Sequence, residues 1–343
     1  MGRTTVYNNI TNEESLAKIL PENKQLISDF LDYLKSIDRS VNTIDQYHSD
    51  LKIFFVWNLK ENNDKRFVNI TKREFARFQS YALNEWQWSP KRVRRVKSTL
   101  SSLSNYIENI LDEEPEYADY RSIIRKIENP VNDVVRDKTV FTKTELQSLL
   151  NYLVENKQYE RACALSLAMN SGRRKSELTR FKVSYFDDNN VKFGSLYKTN
   201  EKIQTKGRGK GKFIELYVFK KEFDPYLKLW LDNRKENGIN SEWLFPKKDN
   251  PDDHVLGGYL DNWVDQFSRF LGKPFYWHSL RHYFTTECLR NNLPETVVQE
   301  IINWNTADMV RLYDDRDGDD MLSEYFDENG IKQIDQKSLS DLS

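Results

Sequence analysis

Five short stretches in the second half of the chain carry side chains suited to handling a phosphate. "SGRRKSEL" sets Arg173 and Arg174 directly after Gly172, behind the apolar run "ACALSLAMN". Guanidinium groups beside a buried helix are costly unless an anion meets them, and their planar forks fit phosphate oxygens in a way lysine cannot. "QTKGRGKGKF" is a glycine-rich turn bearing Lys206, Arg208, Lys210 and Lys212. "HSLRH" puts His278 and Arg281 three residues apart, so they share a helix face, with His282 next to them. Trp304 follows in "IINWN", and Tyr313 stands nine residues further on, in "MVRLYDDRDGDD". A histidine moves protons near neutral pH, a lysine on a hairpin can protonate a leaving alkoxide, and a tyrosine among cations is a competent nucleophile. Together these groups describe phosphoryl transfer from DNA to tyrosine, with cations in place of a metal ion around the pentavalent phosphorus. Each stretch alone has a plainer explanation: an ion-pair network, a solvated turn, a core histidine, a packed tryptophan, a helix tyrosine. Their occurrence in one order favours the shared chemistry.

The elements that must position these residues are mostly helical. Amphipathic spacing predicts helices over "NKQLISDFLDYLKSI", with Leu26, Ile27, Phe30, Leu31 and Leu34 on one face, and over "SVNTIDQYHSDLKIFFVWNL", capped by Thr43 or Asn42. A third covers "TKREFARFQSYALNEW". Ser89-Pro90 opens a fourth, with Val93, Val96, Leu100, Leu103 and Ile107 marking its core side; its N-terminal half crowds Lys91, Arg92, Arg94, Arg95 and Lys97 without an interleaved acid, which points to a phosphate-facing surface. Pro130 and its polar surroundings suit a linker over residues 129–138, and Thr142 with Glu145 forms a capping box for the next helix. Two short hairpins are expected after the arginines, one turning at Asp188-Asn189-Asn190 and one at the glycine-rich tip. Helices then resume through His278 and Trp304, and the polar stretch 321–343 carries a few apolar anchors.

Composition bounds the class. The 343 residues are enough for two domains, and 13% aromatic residues argue against disorder. No signal peptide or membrane-length apolar run is evident, and Cys163 and Cys288 read as small buried residues of a reducing compartment, so a cytoplasmic protein is expected. The charge is balanced, 52 Lys plus Arg against 53 Asp plus Glu, but segregated along the chain. Asp314, Asp315 and Asp317 beside Tyr313 are expected to oppose DNA unless they point into solvent or pair with a neighbouring subunit.

The ordered set R-x-S-E-L, hairpin lysine, H-x-L-R-H, tryptophan and tyrosine resembles the tyrosine recombinases, the family of phage integrases and chromosome-dimer resolvases. The likeness covers residues 139–320 closely and the helical N-terminal half more loosely. It implies a mainly α protein: an N-terminal helical bundle over residues 1–128, a SAM-like core-binding domain, and a mixed α+β catalytic domain over 139–320 with small β-hairpins. It assigns Arg174, Lys206, His278, Arg281 and Trp304 to the phosphate and its protons, and Tyr313 to nucleophilic attack giving a 3′-phosphotyrosyl bond. Glu177, His282 and Arg173 are supporting residues, although Arg173 falls where the family usually has an apolar side chain, and Lys210 or Lys212 could replace Lys206. The basic helix, with Arg208, Lys210 and Lys212, is expected on DNA. The likeness further implies a clamp on double-stranded DNA at core sites, a homotetramer exchanging residues 321–343, no cofactor, no metal and no membrane partner, with accessory proteins left open. The same chemistry would serve a type IB topoisomerase or a hairpin telomere resolvase, and a catalytically silent DNA-binding protein is the alternative outside the enzymes.

Overall fold

Serine and threonine side chains start the helices that order this chain. Ser89, Thr71 and Thr142 each accept a hydrogen bond from the backbone N–H three residues on, and the carboxylates of Glu74 and Glu145 accept from the Thr71 and Thr142 N–H groups to complete two capping boxes. Ser40, not Thr43 or Asn42, caps the second long helix: its hydroxyl accepts from the Thr43 N–H, because Ser40 is the last residue with extended backbone. The computed structural model describes residues 8–131, 139–205, 212–327 and 330–331, and these fall into two compact units divided between residues 131 and 139.

The first unit is all helix: α1 (Glu13–Lys18), α2 (Pro21–Ser36), α3 (Val41–Glu61), α4 (Lys72–Asn84) and α5 (Pro90–Ile110). Its core is aromatic, with Phe54 stacked on Phe75 and edge-on to Phe78 and Phe67. The expected stripes of α2 and α5 face this core, Leu26, Phe30 and Leu34 meeting Val93, Val96, Leu100 and Leu103.

The second unit is mixed, with helices α6 (Lys143–Glu155), α7 (Tyr159–Met169), α8 (Lys175–Leu178), α9 (Lys220–Glu236), α10 (Gly257–Asp261), α11 (Val264–Leu271), α12 (Ser279–Arg290), α13 (Glu295–Ile302), α14 (Asp308–Tyr313) and α15 (Gly318–Tyr325). Strands β1 (Val191–Lys192), β2 (Leu196–Lys198) and β5 (Tyr217–Phe219) form one antiparallel sheet, β3 (Ile203–Thr205) and β4 (Lys212–Ile214) a hairpin, and β6 (Phe326–Asp327) and β7 (Gly330–Ile331) a third pair. The first hairpin does not turn at Asp188-Asn189-Asn190, which form a 3₁₀ turn; it turns at Phe193 and Gly194, both left-handed. The run "FIELYV" is divided: its first half pairs with β3 and its second half with β2.

The unit's main core lies under α6, α7 and α9, with Cys163 inside it. A smaller core, built from Phe284, Cys288, Val298, Ile301, Ile302, Val310, Trp304 and Tyr313, locks α12, α13 and α14 together. Trp304 and Tyr313 are thus fixed by the packing of three short helices. Among the described residues no helix is long and apolar enough to cross a membrane.

Candidate active site

The buried helix α7 ends at Met169 with Asn170 as its C-cap, and Gly172, at φ +59°, turns the chain so that consecutive arginines diverge. Arg173 turns inward and is 1% exposed; its guanidinium donates to the carbonyls of Ile302 (3.2 Å) and Ile301 at the end of α13. Arg174 stays half-exposed, its Nη1 3.0 Å from the buried carboxylate of Glu177, which also accepts from the Arg174 N–H. The glycine is required twice over: its φ is left-handed, and a Cβ there would lie 2.5 Å from Cδ1 of Phe284. Its carbonyl accepts from Nη1 of Arg281 at 2.9 Å. Gly172→Ala is therefore expected to destabilise the fold by at least ~2 kcal/mol, from left-handed strain plus overpacking, measured by denaturant unfolding.

Helix α12 presents Arg281 and His282 from its first turns, with His278 at its start. The hydroxyl of Tyr313 lies 3.0 Å from Nε2 of His278. Trp304 packs on Tyr313 with ring centroids 4.9 Å apart, and the Arg281 guanidinium lies 4.8 Å from the Trp304 ring centre and 5.6 Å from that of Tyr313. His282 packs at a tilt against Tyr313, with ring centroids 4.4 Å apart. Arg174 and His278 line one open cleft of about 570 Å³ together with Lys175, Asp261 and Tyr276. The structure therefore brings Arg174, Glu177, His278, Arg281, His282, Trp304 and Tyr313 into one cluster.

Electrostatics sharpen the picture. Nε and Nη2 of Arg281 and Nε1 of Trp304 are buried and hydrogen-bond to nothing among the described residues. Burial, with Arg174 close by, pushes the Arg281 guanidinium well down from its ordinary range. Buried donors left unpaired cost roughly 1–3 kcal/mol each, so three in one place signal an acceptor that arrives from outside. Burial, with the charges of His282, Arg281 and Arg174, also holds His278 below its usual 6.5. His278 is then neutral at pH 7, leaving Nε2 able to accept the Tyr313 proton. If His278 takes that proton, cleavage falls on the acid side at a pH below that of an ordinary histidine, and His278→Gln loses this acid limb; a rate–pH profile checks both.

The acidic run after Tyr313 behaves differently from expectation, meeting partners within its own chain. Asp314 pairs with Arg316 at 2.9 Å. Asp315 is 2% exposed at its side chain, lies 3.2 Å from Nδ1 of His282, and its N–H donates to the Thr286 hydroxyl. Asp315 thereby orients His282 against Tyr313; the dense acidic sequence around it gave no sign which carboxylate would turn inward.

Lys206, Arg208 and Lys210 lie outside the described residues. Lys212 donates to the side-chain amide oxygens of Asn303 (2.8 Å) and Asn305 (3.2 Å), on either side of Trp304. In the first unit, the cations of α5 are partly occupied. Arg92 stacks over Trp88 at 3.9 Å, Arg94 donates to the Pro130 carbonyl, and Lys97 donates to the Ile127 carbonyl and to Asn129. Arg95 bonds the fully buried carboxylate of Asp50 at 2.8 Å yet stays 46% exposed at its side chain, and Lys91 is exposed.

This fold and cluster define a member of the phage integrase family, which the chain matches over residues 139–318, and it belongs to that family. Among its relatives, it is 31% identical over 247 residues to the SPbeta prophage-derived recombinase-like protein YomM of Bacillus subtilis, covering 72% of this chain and 71% of that one. It is 25% identical over 300 residues to a tyrosine recombinase of Thermosipho africanus, covering 84% and 94% of the two chains. A lambda integrase tetramer bound to a Holliday junction shares the fold, with a TM-score of 0.64 at 15% identity over 86% of this chain and 79% of that one.

Proposed function

We propose that this protein is a site-specific DNA recombinase that cleaves and rejoins strands through a 3′-phosphotyrosyl intermediate. The observation that carries the reading is the three buried donors of Arg281 and Trp304 that lack partners among the described residues, beside a tyrosine hydroxyl bonded to a neutral histidine. A scissile phosphate between Arg174, Arg281 and Trp304 would satisfy those donors, and its negative charge would offset the desolvation of Arg281. Tyr313 Oη attacks phosphorus as its proton passes to Nε2 of His278. The P–O5′ bond breaks, and the leaving oxygen takes a proton, in this reading from Lys206. Cations fixed in advance stabilise the added negative charge of the transition state. The phosphotyrosyl bond conserves the energy of the broken phosphodiester, so a 5′-hydroxyl from another duplex reverses the step without a nucleotide cofactor. Exchange of four strands calls for four such centres, hence a homotetramer on two core sites. The domain at residues 1–128 adds contacts to the duplex backbone, with exposed Lys91 and Arg95 as the leading α5 cations and Arg208 and Lys210 on the hairpin.

The test is covalent trapping. Binding sites are selected from a randomised duplex pool and remade with a nick beside each candidate scissile position. A denaturation-resistant adduct whose DNA-linked peptide contains Tyr313 is the expected result. Bound substrate with no adduct at any nick position would refute strand cleavage and leave a DNA-binding factor. Relaxation of a supercoiled plasmid lacking the selected site would instead assign a topoisomerase.

A further inference from the structure

We infer that Arg173 and Lys212 are positioning residues that fix the Trp304 loop from opposite sides. Helix α13 ends in a Schellman-type cap: Asn303 is left-handed at φ +63°, its N–H donates to the Glu300 carbonyl, and the Trp304 N–H donates to the Gln299 carbonyl, each at 3.0 Å. Such a cap leaves the last helical carbonyls without intrahelical partners. Here Arg173, from the turn after α7, reaches the carbonyls of Ile301 and Ile302 within the protein. Its charge also sits where the helix dipole is negative.

The outer side of the loop is held by β4. Lys212 bonds both asparagines that flank Trp304, and the Gln299 amide donates to the Trp304 carbonyl at 3.2 Å. The loop is thus tied at its backbone from inside and at both shoulders from the hairpin. The side chain held this way is demanding, because an indole offers a single N–H in a fixed direction. A small rotation of the loop would turn Nε1 away from an anion that Arg281 still reaches.

Arg173 is an expensive means to this end. Burial, with Arg174 beside it, pushes its guanidinium down to about 10, and an apolar residue could fill the space. The two cations also join elements distant in sequence. Arg173 adjoins Arg174, and Lys212 is the first residue of β4, so the Trp304 loop is locked both to the turn after α7 and to the β3–β4 pair.

This inference rests on the proposed chemistry for its kinetic arm alone. In the free protein, Lys212→Met should speed amide hydrogen exchange across residues 299–306 at least about tenfold with the unfolding midpoint unchanged. Adduct formation should slow roughly ten- to hundredfold, with Lys212→Arg restoring most of the rate. In a Trp304→Phe background the same change should cost less than about twofold, since the residue acts through Trp304. Arg173→Met should reproduce both effects; because Arg173 is buried and its loss also burdens the fold, Lys212→Met is the deciding variant. Unchanged exchange in Lys212→Met, or effects that multiply fully in the double variant, would overturn the inference. If the wild type forms no adduct, the proposed function fails while the exchange measurement still decides the clamp.

Discussion

Tyr313→Phe is expected to give a folded protein that binds its DNA and forms no covalent adduct. The ring is 7% exposed and packs against Trp304 and His282, contacts that phenylalanine retains. What disappears is the hydroxyl and its single bond to His278, worth about 1 kcal/mol or less to stability. The effect on chemistry is of another order. Without Oη no atom at that position can bond to phosphorus, so the cleavage rate should fall by roughly 10⁴-fold or more, to the limit of the gel. Equal binding by wild type and variant in a mobility shift assay separates lost chemistry from lost affinity. Adduct persisting in the variant would move the nucleophile to another residue and dismantle the proposed arrangement.

Replacement of Arg281 should separate activity from stability in the opposite sense to an ordinary buried residue. Arg281 is 1% exposed, keeps one bond to the Gly172 carbonyl, and holds Nε and Nη2 without partners among the described residues. The free protein bears the desolvation of this cation with little in return, and close-packed apolar replacements of buried charges are often neutral or stabilising. Arg281→Met is accordingly expected to change unfolding free energy by no more than about 1 kcal/mol, and Tm could rise. Cleavage should drop by roughly 10²- to 10³-fold, the usual consequence of deleting one preorganised donor from a transition state. Arg281→Lys should recover little, because an ammonium group lacks the fork that reaches two oxygens. A variant several kcal/mol less stable with cleavage intact would show instead that Arg281 belongs to the scaffold.

These two residues also mark how far the sequence carries. His278 and Arg281 could be paired from their interval, because three residues on a helix return to the same face whatever surrounds them. The capping box at Thr142, the start of α5 at Ser89-Pro90 and the core stripes of α2 and α5 were legible for the same reason: each is settled within one or two turns. The family likeness, carried by motif order, pointed correctly to a mainly helical two-domain fold.

What the sequence left undecided depended on distant partners. Neighbouring arginines look alike in "GRRK", and only the close approach of Ile301 and Ile302, nearly 130 residues away, draws Arg173 inward while Arg174 remains at the cleft. Asp315 looked like one acid among several, until α12 brought His282 and Thr286 to it. Part of the basic face of α5 is engaged within the protein, Arg94 and Lys97 by the carbonyls of residues 130 and 127 and Arg95 by Asp50, contacts invisible in a helical wheel. Sequence by itself determined the local elements and the residue types available for chemistry, because propensity, capping and periodicity act over a few residues. Tertiary structure alone decided which of those side chains are held in the core and which are left facing the cleft, because burial and pairing depend on elements far apart in the chain.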